Sequence, residues 1–294
     1  MMYNDLGNKH SHSFDAHSTR RVSFHLVTKN RAQNIPQALE SFRKLVGPED
    51  ELIVIDGSTD DSTQRVVARH PGLVDIFVSE PDFDGTHAQN KAMLLSRGKY
   101  LRLLTDDDIF HPEGTEKAIR VMETHPEIDL LVCGGTKERD GRKWSVYVPP
   151  GVNYGSRVED PFLWKACGAG FLVRRSSLAK VGAFFPSGPS ADVHWVAEFI
   201  RRRANVKFCR LNTFHHPIYS HSVIIKHRRE HRRDHLSLVR KYCSRRFYFS
   251  YRLRLFIRAH PFLRRLLSPL KRALSGFSVS SHSGGAVVWD GGFS

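Results

Sequence analysis

Hydrophobic and polar positions follow two alternating periods over the first two-thirds of the chain. Short apolar runs rich in Val, Ile and Leu are typical of buried strands, and the segments between them repeat apolar residues every three or four positions, as amphipathic helices do. Strands are predicted at residues 21–27, 51–55, 75–78, 100–104 and 130–133, and helices at 36–46, 62–70, 87–96 and 113–124. This alternation predicts an α/β fold with a mostly parallel, Rossmann-like sheet flanked by helices.

Beyond Gly134 the pattern is less regular. Strands are predicted at 143–148, 170–173 and 207–211, and helices at 176–181 and 192–203. From residue 222 helical periodicity returns with Arg or Lys at most polar positions, and the last residues are rich in Ser and Gly. We therefore predict four parts: a flexible leader (1–20), an α/β domain (21–221), a basic amphipathic helical extension (222–274) and a flexible tail (275–294).

The basic residues are concentrated in the last third of the chain. The net charge of the 294 residues is +15, yet 21 Lys and Arg against two Asp and Glu lie between Arg201 and Arg272, so the remainder is slightly acidic. This asymmetry predicts one specialised basic face rather than a general affinity for polyanions. An anionic membrane surface is the favoured partner. A solvated helical face packed on the domain is the alternative, and nucleic acid is less favoured.

The spacing of the cysteines and the hydropathy of the chain indicate where in the cell the protein is found. The four cysteines form no Cys-x-x-Cys pair, and the chain opens without the basic and apolar stretches of a secretory signal. No apolar run approaches the roughly 20 residues needed to cross a bilayer. We therefore expect buried thiols and a cytoplasmic protein, held at the inner face of the membrane if its basic third binds lipid.

Polar motifs follow the predicted strands at the points where they end. Thr28–Arg31 follows the first strand, Asp56–Thr63 follows the second, and three consecutive carboxylates, Asp106, Asp107 and Asp108, follow the fourth. In open α/β sheets ligands bind beyond the carboxyl ends of the strands. These motifs therefore predict a single polar cleft.

The acidic triplet is suited to a divalent cation. Mg²⁺ and Mn²⁺ take oxygen ligands and usually keep only one or two protein carboxylates, leaving their other positions to water and substrate phosphates. A metal-bridged nucleotide fits this pattern. The alternative is that Asp107 and Asp108 form a turn before the helix that starts near Pro112.

Two further carboxylates have both a functional and a local structural interpretation. Asp56 ends a strand in a Gly-Ser-Thr-Asp turn, where it can accept hydrogen bonds from a base or ribose, or form Asx turns together with Ser58 and Asp60. Asp192 precedes an amphipathic helix, where it can act as a general base or simply cap the helix.

Taken together, the motifs resemble those of family 2 glycosyltransferases of the GT-A fold, over residues 21 to about 211. The matching segments, in order, are Ile55–Ser62, Ser79–Asp82, Gln89–Ala92, Gly98–Tyr100 leading into the acidic triplet, and Cys167–Gly170 before Asp192. The resemblance implies an enzyme that transfers a sugar from a nucleotide-diphosphate donor to a hydroxyl acceptor, with inversion at the anomeric carbon. Cell-surface polysaccharide or glycolipid synthesis is the expected setting, with a lipid-linked acceptor as one option.

The resemblance also implies roles for individual residues. Asp192 is expected to act as the general base, and Asp107 to bind Mg²⁺ or Mn²⁺ with His221 as a further candidate ligand. The residues expected to bind the nucleotide sugar are Thr28, Asn30, Asp56, Ser58, Lys91 and Asp106.

The sequence departs from the family pattern at two positions. Thr105 stands where the D-x-D element has its first Asp, and Ala191 stands where the base often has an acidic neighbour. Two alternative functions are a nucleotidyltransferase on a similar sheet and a polyanion-binding protein without catalytic activity. A nucleotidyltransferase would ordinarily have a glycine-rich first loop, and Thr28–Arg31 contains no glycine.

Overall fold

The computed structural model describes residues 20–146, 157–164, 166–182, 188–219, 228–260 and 262. The strands are β1 Arg20–Thr28, β2 Glu51–Asp56, β3 Ile76–Ser79, β4 Gly98–Thr105, β5 Ile109–Phe110, β6 Leu130–Arg139, β7 Arg142–Val146, β8 Phe171–Arg174 and β9 Val206–Pro217. The helices are α1 Ile35–Arg43, α2 Ser62–Val67, α3 Gly85–Leu95, α4 Pro112–Thr124, α5 Asp160–Trp164, α6 Leu178–Val181, α7 Ala191–Arg201, α8 Arg228–Tyr242 and α9 Arg245–Ala259. Short 3₁₀ turns cover Gly168–Gly170, Arg175–Ser177 and Gly188–Ser190.

One sheet organises the described chain, in the order β3-β2-β1-β4-β8-β6-β9-β5, with β7 paired to β6. The four strands from β3 to β4 are mutually parallel, which confirms the predicted α/β fold. The other half is mixed, because β8 runs antiparallel to both β4 and β6, and only β6 and β9 pair in parallel. The expectation of a parallel sheet therefore applies to the first half, and the second half departs from it.

Helices cover both faces of the sheet, so the central strands are buried on both sides. In β2, Leu52 and Val54 contribute to the apolar cluster beneath α1 and α4, while Ile53 and Ile55 face α3. Helix α7 covers the second half of the sheet with Trp195 and its apolar neighbours. Most side chains inside the first four strands are therefore apolar, with His25 of β1 and Arg102 of β4 as buried polar exceptions.

Two strands extend further than their sequence patterns indicate. β6 continues to Arg139 and β9 to Pro217, beyond the predicted ends at 133 and 211. These extensions contain polar residues that pair with each other and, in β6, with β7, so they form a ribbon outside the apolar core. The ribbon places His215 and His216 inside a strand, whereas we expected them to follow it.

The basic extension is helical where it is described, and it packs on the domain. Leu238 and Val239 of α8 are buried against Phe162 of α5 and Val193 of α7. A hydrogen bond joins the Tyr242 hydroxyl to the Glu198 carboxylate on α7. The predicted leader and tail lie outside the described residues, apart from Arg20. Among the described helices, none combines the length and the apolar content that a bilayer span requires.

His25 is a buried ionisable group in the middle of β1. Its Nδ1 lies 3.3 Å from Gln89 Oε1 and its Nε2 lies 2.7 Å from Ser96 Oγ, both near α3. Burial lowers the pKa of His25 from 6.5 to about 4, and the Gln89 hydrogen bond and the charge of Glu51 only partly oppose this. The imidazole is therefore neutral in the folded protein at neutral pH.

We predict that His25 makes the protein acid-sensitive. His25 binds a proton near pH 6.5 in the unfolded chain but only near pH 4 in the folded chain. The stability that the protein gains from a neutral His25 is therefore fully present above pH 6.5 and is lost as the pH falls toward 4. Between pH 7 and 5 the wild type should lose about 2 kcal/mol more unfolding free energy than His25→Gln. Urea titrations at both pH values measure this. His70→Gln, at a position that is not buried, should follow the wild type, and equal losses in all three proteins would contradict the prediction.

Candidate functional site

The carboxyl ends of four neighbouring strands form one polar edge. The residues at these ends are Ser79 on β3, Asp56 on β2, Thr28 on β1 and Asp106 directly after β4. Register places Thr28 beside Asp56, and Asp56 beside Ser79. Parallel pairing thus brings together side chains from segments far apart in the sequence, at the edge where such sheets bind ligands.

Asp106 is held by two donors from β1 and the loop after it. Thr28 Oγ1 donates to Asp106 Oδ2 over 2.6 Å, and Arg31 Nη1 lies 3.0 Å from Asp106 Oδ1. The same Arg31 nitrogen lies 3.1 Å from Asp107 Oδ2, so one guanidinium bridges two carboxylates. Burial raises the pKa of Asp106, while the Thr28 hydrogen bond and the Arg31 charge oppose that rise. Thr28 and Asp106, expected in one site, do meet.

Asp56 is fully buried and lies beside Thr28 at the same edge of the sheet. Its Oδ1 accepts hydrogen bonds from the Ser58 amide and hydroxyl, and Ser79 Oγ donates to its Oδ2 over 3.2 Å. The Asx turn considered in the sequence is therefore present. A Cβ on Gly57, at the next position, would overlap the Asp82 carboxylate, so a larger residue there would displace that side chain.

Asn30 and Lys91 both support loops at this edge. Asn30 has a left-handed backbone with φ of 54°, and its Oδ1 accepts from the Thr59 amide over 3.0 Å. The backbone amide of Asn30 donates to Ser58 Oγ over 2.8 Å, so hydrogen bonds connect the loops after β1 and β2. Lys91 Nζ lies 2.9 Å from both Glu80 Oε1 and the Pro81 carbonyl, so its described contacts are with the loop after β3 rather than with the acidic triplet.

Asp107 and Asp108, which follow Asp106 in the chain, form a cluster with His216. Ligand atoms of Asp107, Asp108 and His216 all lie within 4.8 Å of one another. His216 Nδ1 is 2.6 Å from Asp108 Oδ1, and the Thr105 hydroxyl donates to Asp108 Oδ2. Two carboxylates and an imidazole form a donor set that suits Mn²⁺ or Mg²⁺. The residues present therefore fit a divalent cation, and Thr105 orients one of them.

Asp192 lies in the first turn of α7, two residues after the N-cap residue Ser190. It does not cap the helix, because its Oδ2 accepts a hydrogen bond from the Gly168 amide over 2.9 Å. The carboxylate is thus attached to the turn that precedes β8, and this contact replaces the capping role considered in the sequence.

The electrostatic environment of Asp192 connects it to the metal-type cluster. Burial raises the pKa of Asp192, the Gly168 hydrogen bond and the Lys137 charge lower it, Asp108 raises it and His216 lowers it. Asp192 is therefore near enough to Asp108 and His216 for their charges to act on its pKa. A carboxylate with a raised pKa beside a cleft has the properties of a proton acceptor.

Arg102 of β4 supports this arrangement from inside the core. Its guanidinium is buried and donates to the carbonyl oxygens of Ala169 and Phe171, the latter over 3.1 Å, and lies 3.5 Å from the Thr213 carbonyl. Burial lowers the pKa of Arg102. One side chain therefore joins β4, which leads into the acidic triplet, to the Gly168–Gly170 turn, to the start of β8 and to β9.

Several residues of the site were not expected from the sequence. Asp108 was considered as part of the acidic triplet and as a turn former but was not assigned as a metal ligand, and Arg31 was considered only as part of a motif. Of the three neighbouring histidines considered as contacts of the metal or the diphosphate, His221 rather than His216 was put forward, and Lys137 carried no signal beyond its charge. His221, the expected metal ligand, lies outside the described residues, and His215 contacts Thr136 and Glu138 instead of the cluster.

Comparisons with known proteins identify the family. Residues 23–182 match the profile described as Glycosyl transferase family 2. An uncharacterized glycosyltransferase of Haemophilus influenzae is 32% identical over 112 residues, covering 37% of each chain. The amylovoran biosynthesis glycosyltransferase AmsE of Erwinia amylovora is 30% identical over 112 residues, covering 37% of this chain and 42% of AmsE. The matched segment thus spans less than half the length of these relatives.

Solved structures share the GT-A fold at low sequence identity. Staphylococcus aureus TarS in complex with UDP-GlcNAc has a TM-score of 0.56 at 16% identity, covering 69% of this chain and 60% of that one. The mannosyltransferase PcManGT of Pyrobaculum calidifontis, in complex with GDP-Man and Mn²⁺, has a TM-score of 0.57 at 17% identity, covering 75% and 64%. Glucosyl-3-phosphoglycerate synthase of Mycobacterium tuberculosis has a TM-score of 0.54 at 20% identity, covering 79% and 82%.

We predict that Arg102→Met lowers the free energy of unfolding by about 2 kcal/mol or more, because buried carbonyl oxygens lose their donor. Chemical denaturation measures the change. Arg120→Met removes an exposed guanidinium from α4 and should alter the free energy by less than about 0.5 kcal/mol. Equal stability of the two variants would show that the Arg102 contacts do not hold these segments together.

Proposed function

Because the chain belongs to glycosyl transferase family 2, we propose that it transfers a sugar from a nucleotide-diphosphate donor to a hydroxyl acceptor, with inversion at the anomeric carbon and with Mg²⁺ or Mn²⁺ bound. The observation that carries the proposal is that Asp107, Asp108 and His216 form a cation-type donor set, with Asp192 in the same electrostatic environment. A cation cluster and a separate proton acceptor are the two parts that such a transfer requires.

The nucleotide binds along the polar edge of the first four strands. Asp56 offers carboxylate oxygens to a base or ribose, and Thr28 lies beside it on the neighbouring strand. Asp106 completes the ribose side, oriented by Thr28. Asn30 and Ser58 position the two loops of this wall. TarS has been solved with UDP-GlcNAc and PcManGT with GDP-Man, which supports a nucleotide sugar as donor.

The diphosphate lies over Asp107, Asp108 and His216. Asp107, Asp108 and His216 would hold a cation here, and the cation would supply positive charge to stabilise a departing nucleoside diphosphate. Arg31, which contacts Asp107, is placed to contact phosphate oxygens, and a guanidinium forms strong, geometrically defined hydrogen bonds with them. The PcManGT complex contains Mn²⁺ and another neighbour complex contains Mg²⁺ with UDP, which supports a divalent ion.

Asp192 takes the proton of the acceptor hydroxyl as that oxygen attacks the anomeric carbon. Attack from the face opposite the diphosphate inverts the configuration at that carbon. The Gly168 amide orients the carboxylate through Oδ2 and leaves Oδ1 for the incoming proton. The acceptor belongs to cell-surface polysaccharide or glycolipid synthesis, a setting supported by the name of the relative AmsE, which refers to amylovoran biosynthesis.

We predict that Asp107→Asn and Asp108→Asn each weaken metal-dependent donor binding by at least about tenfold, the loss typical even of outer-sphere changes at metal sites. Calorimetry with a panel of UDP and GDP sugars, with and without Mn²⁺, measures the change and identifies the donor. Asp61→Asn, which alters an exposed carboxylate on the same face, is the matched control. A donor affinity that does not depend on Mn²⁺ and is unchanged in Asp107→Asn and Asp108→Asn would contradict the proposed function.

We predict that Asp192→Asn reduces kcat by about 10²- to 10⁴-fold while donor affinity is retained, because the carboxylate acts only as a base. The acid limb of kcat/KM in the wild type should lie above the pH at which an ordinary carboxylate titrates, since burial raises the pKa of Asp192. Lys137→Gln removes a charge that lowers this pKa, so the acid limb should move to higher pH.

Lys143→Gln is the matched control for this pH shift, because Lys143 is exposed on β7 and pairs with Glu138. Its acid limb should coincide with that of the wild type. An unchanged limb in Lys137→Gln, or full kcat in Asp192→Asn, would remove Asp192 from the role of base.

A further inference from the structure

Helix α9 has two apolar faces, and only one of them is packed. Phe247 and Tyr251 contact the cluster that joins α8 to α7, so this face is buried against the domain. On the other side Phe249, Leu253 and Phe256 are 64%, 57% and 51% exposed. Large apolar side chains concentrated on one exposed face indicate an interaction surface.

The three exposed apolar residues form one stripe. At 3.6 residues per turn, Phe249, Leu253 and Phe256 lie within about 60° of one another around the helix axis. Phe247 and Tyr251 lie on the opposite side, in agreement with their packing. The stripe thus points directly away from the domain.

Exposed arginines flank the stripe on both sides. Helical geometry places Arg245 and Arg252 along one border and Arg246 along the other, each within about 70° of the stripe centre. No ion pair of these arginines with an acidic side chain appears among the described residues, and only two acidic residues occur in the whole basic third. The surface, which we call the α9 face (Arg245, Arg246, Phe249, Arg252, Leu253 and Phe256), is therefore apolar in the centre and cationic at its borders.

We infer that the α9 face binds the surface of an anionic lipid bilayer, with the stripe inserted at the headgroup boundary and the arginines on the lipid phosphates. An apolar stripe bordered by cations is the arrangement of helices that lie in a membrane interface. Nucleic acid would use the arginines but would leave Leu253 without a suitable partner. A second copy would bring the same arginine borders against each other in a two-fold pair, which charge repulsion opposes.

Helix α9 is connected by packing and hydrogen bonds to the helix that carries Asp192. α8 shares a buried apolar cluster with α9 and α7, and its Asp234 accepts a hydrogen bond from the Ser190 amide over 3.1 Å, directly before the helix that carries Asp192. Membrane binding therefore holds the packed unit that carries the proposed base at the membrane. The acceptor class that follows, a hydroxyl on a lipid-linked molecule, rests on the proposed function, whereas bilayer binding does not.

Co-sedimentation of the full chain with vesicles tests the inference. Vesicles of phosphatidylcholine mixed with phosphatidylglycerol should bind the protein, and pure phosphatidylcholine should bind it far less. The triple variant Arg245→Gln, Arg246→Gln, Arg252→Gln should bind anionic vesicles about 100-fold more weakly. The variant Phe249→Ser, Leu253→Ser, Phe256→Ser should bind at least about tenfold more weakly.

Matched controls distinguish binding by the α9 face from the effects of total net charge and of exposed apolar surface elsewhere. Arg43→Gln, Arg69→Gln, Arg120→Gln removes the same charge from exposed positions on the domain, and Phe83→Ser, Leu94→Ser, Trp144→Ser removes other exposed apolar side chains. Both controls should sediment like the wild type, and circular dichroism should show all five proteins folded. Controls that lose binding as much as the α9 variants would overturn the inference.

Three other outcomes would also overturn it. These are absence of binding to anionic vesicles, binding to single-stranded DNA with no binding to vesicles, and a dimer in solution that the Ser variant dissociates without any vesicle binding. Donor calorimetry on the same variants keeps the two proposals apart. Loss of vesicle binding with intact metal-dependent donor binding separates the α9 face from the proposed catalytic function.

Discussion

The site depends on how several carboxylates are held close together at one edge of a sheet. Asp56, Asp106 and Asp108 are nearly or fully buried, and buried charge is unfavourable unless it is paired or hydrogen-bonded. Each is satisfied by donors from a different part of the chain: Asp56 by Ser58 and Ser79, Asp106 by Thr28 and Arg31, and Asp108 by Thr105 and His216. The acidic edge is stabilised because the fold brings these donors to it.

A second requirement is that the helix carrying Asp192 be placed accurately against this edge. α7 is fixed from two directions. Arg102 holds the turn that contacts Asp192, and α8 contributes the Asp234 carboxylate and the Tyr242 hydroxyl. Groups that act on one bound molecule gain from such support, because small misplacements reduce the rate strongly. The basic third of the chain therefore participates in the architecture of the cleft.

The sequence predicted those parts of the site that depend on local patterns. Thr28, Asp56 and Asp106 each follow a clear apolar run, so their meeting at one edge followed from the parallel topology. Asp108 and His216 were missed because their approach depends on pairing between β5 and the extended end of β9. That pairing joins residues about a hundred positions apart, and the alternation of polar and apolar residues beyond residue 211 is too weak to indicate that the strand continues.

The contacts of Lys91 also could not be predicted, for a different reason. Its helix was predicted with nearly correct bounds, but the direction of a flexible side chain depends on which partner is nearest, and Glu80 lies beside it. The same limit applies to α8 and α9. Their helical character follows from periodicity, whereas the face that packs is decided by apolar surface on α5 and α7 that no local pattern reveals.

The seam between α7 and α8 has a consequence for the integrity of the chain. Phe162, Val193, Ala197, Leu238 and Val239 form one dry layer shared by both sides. A protease cut between residues 219 and 228 would leave that layer intact only while the two fragments stayed associated. Once they separated, the α/β domain would expose the apolar side chains of this layer, and Glu198 would lose its Tyr242 hydrogen bond while keeping Arg201 and Arg202. The helices after the last strand thus share a buried layer with the helix that covers the sheet.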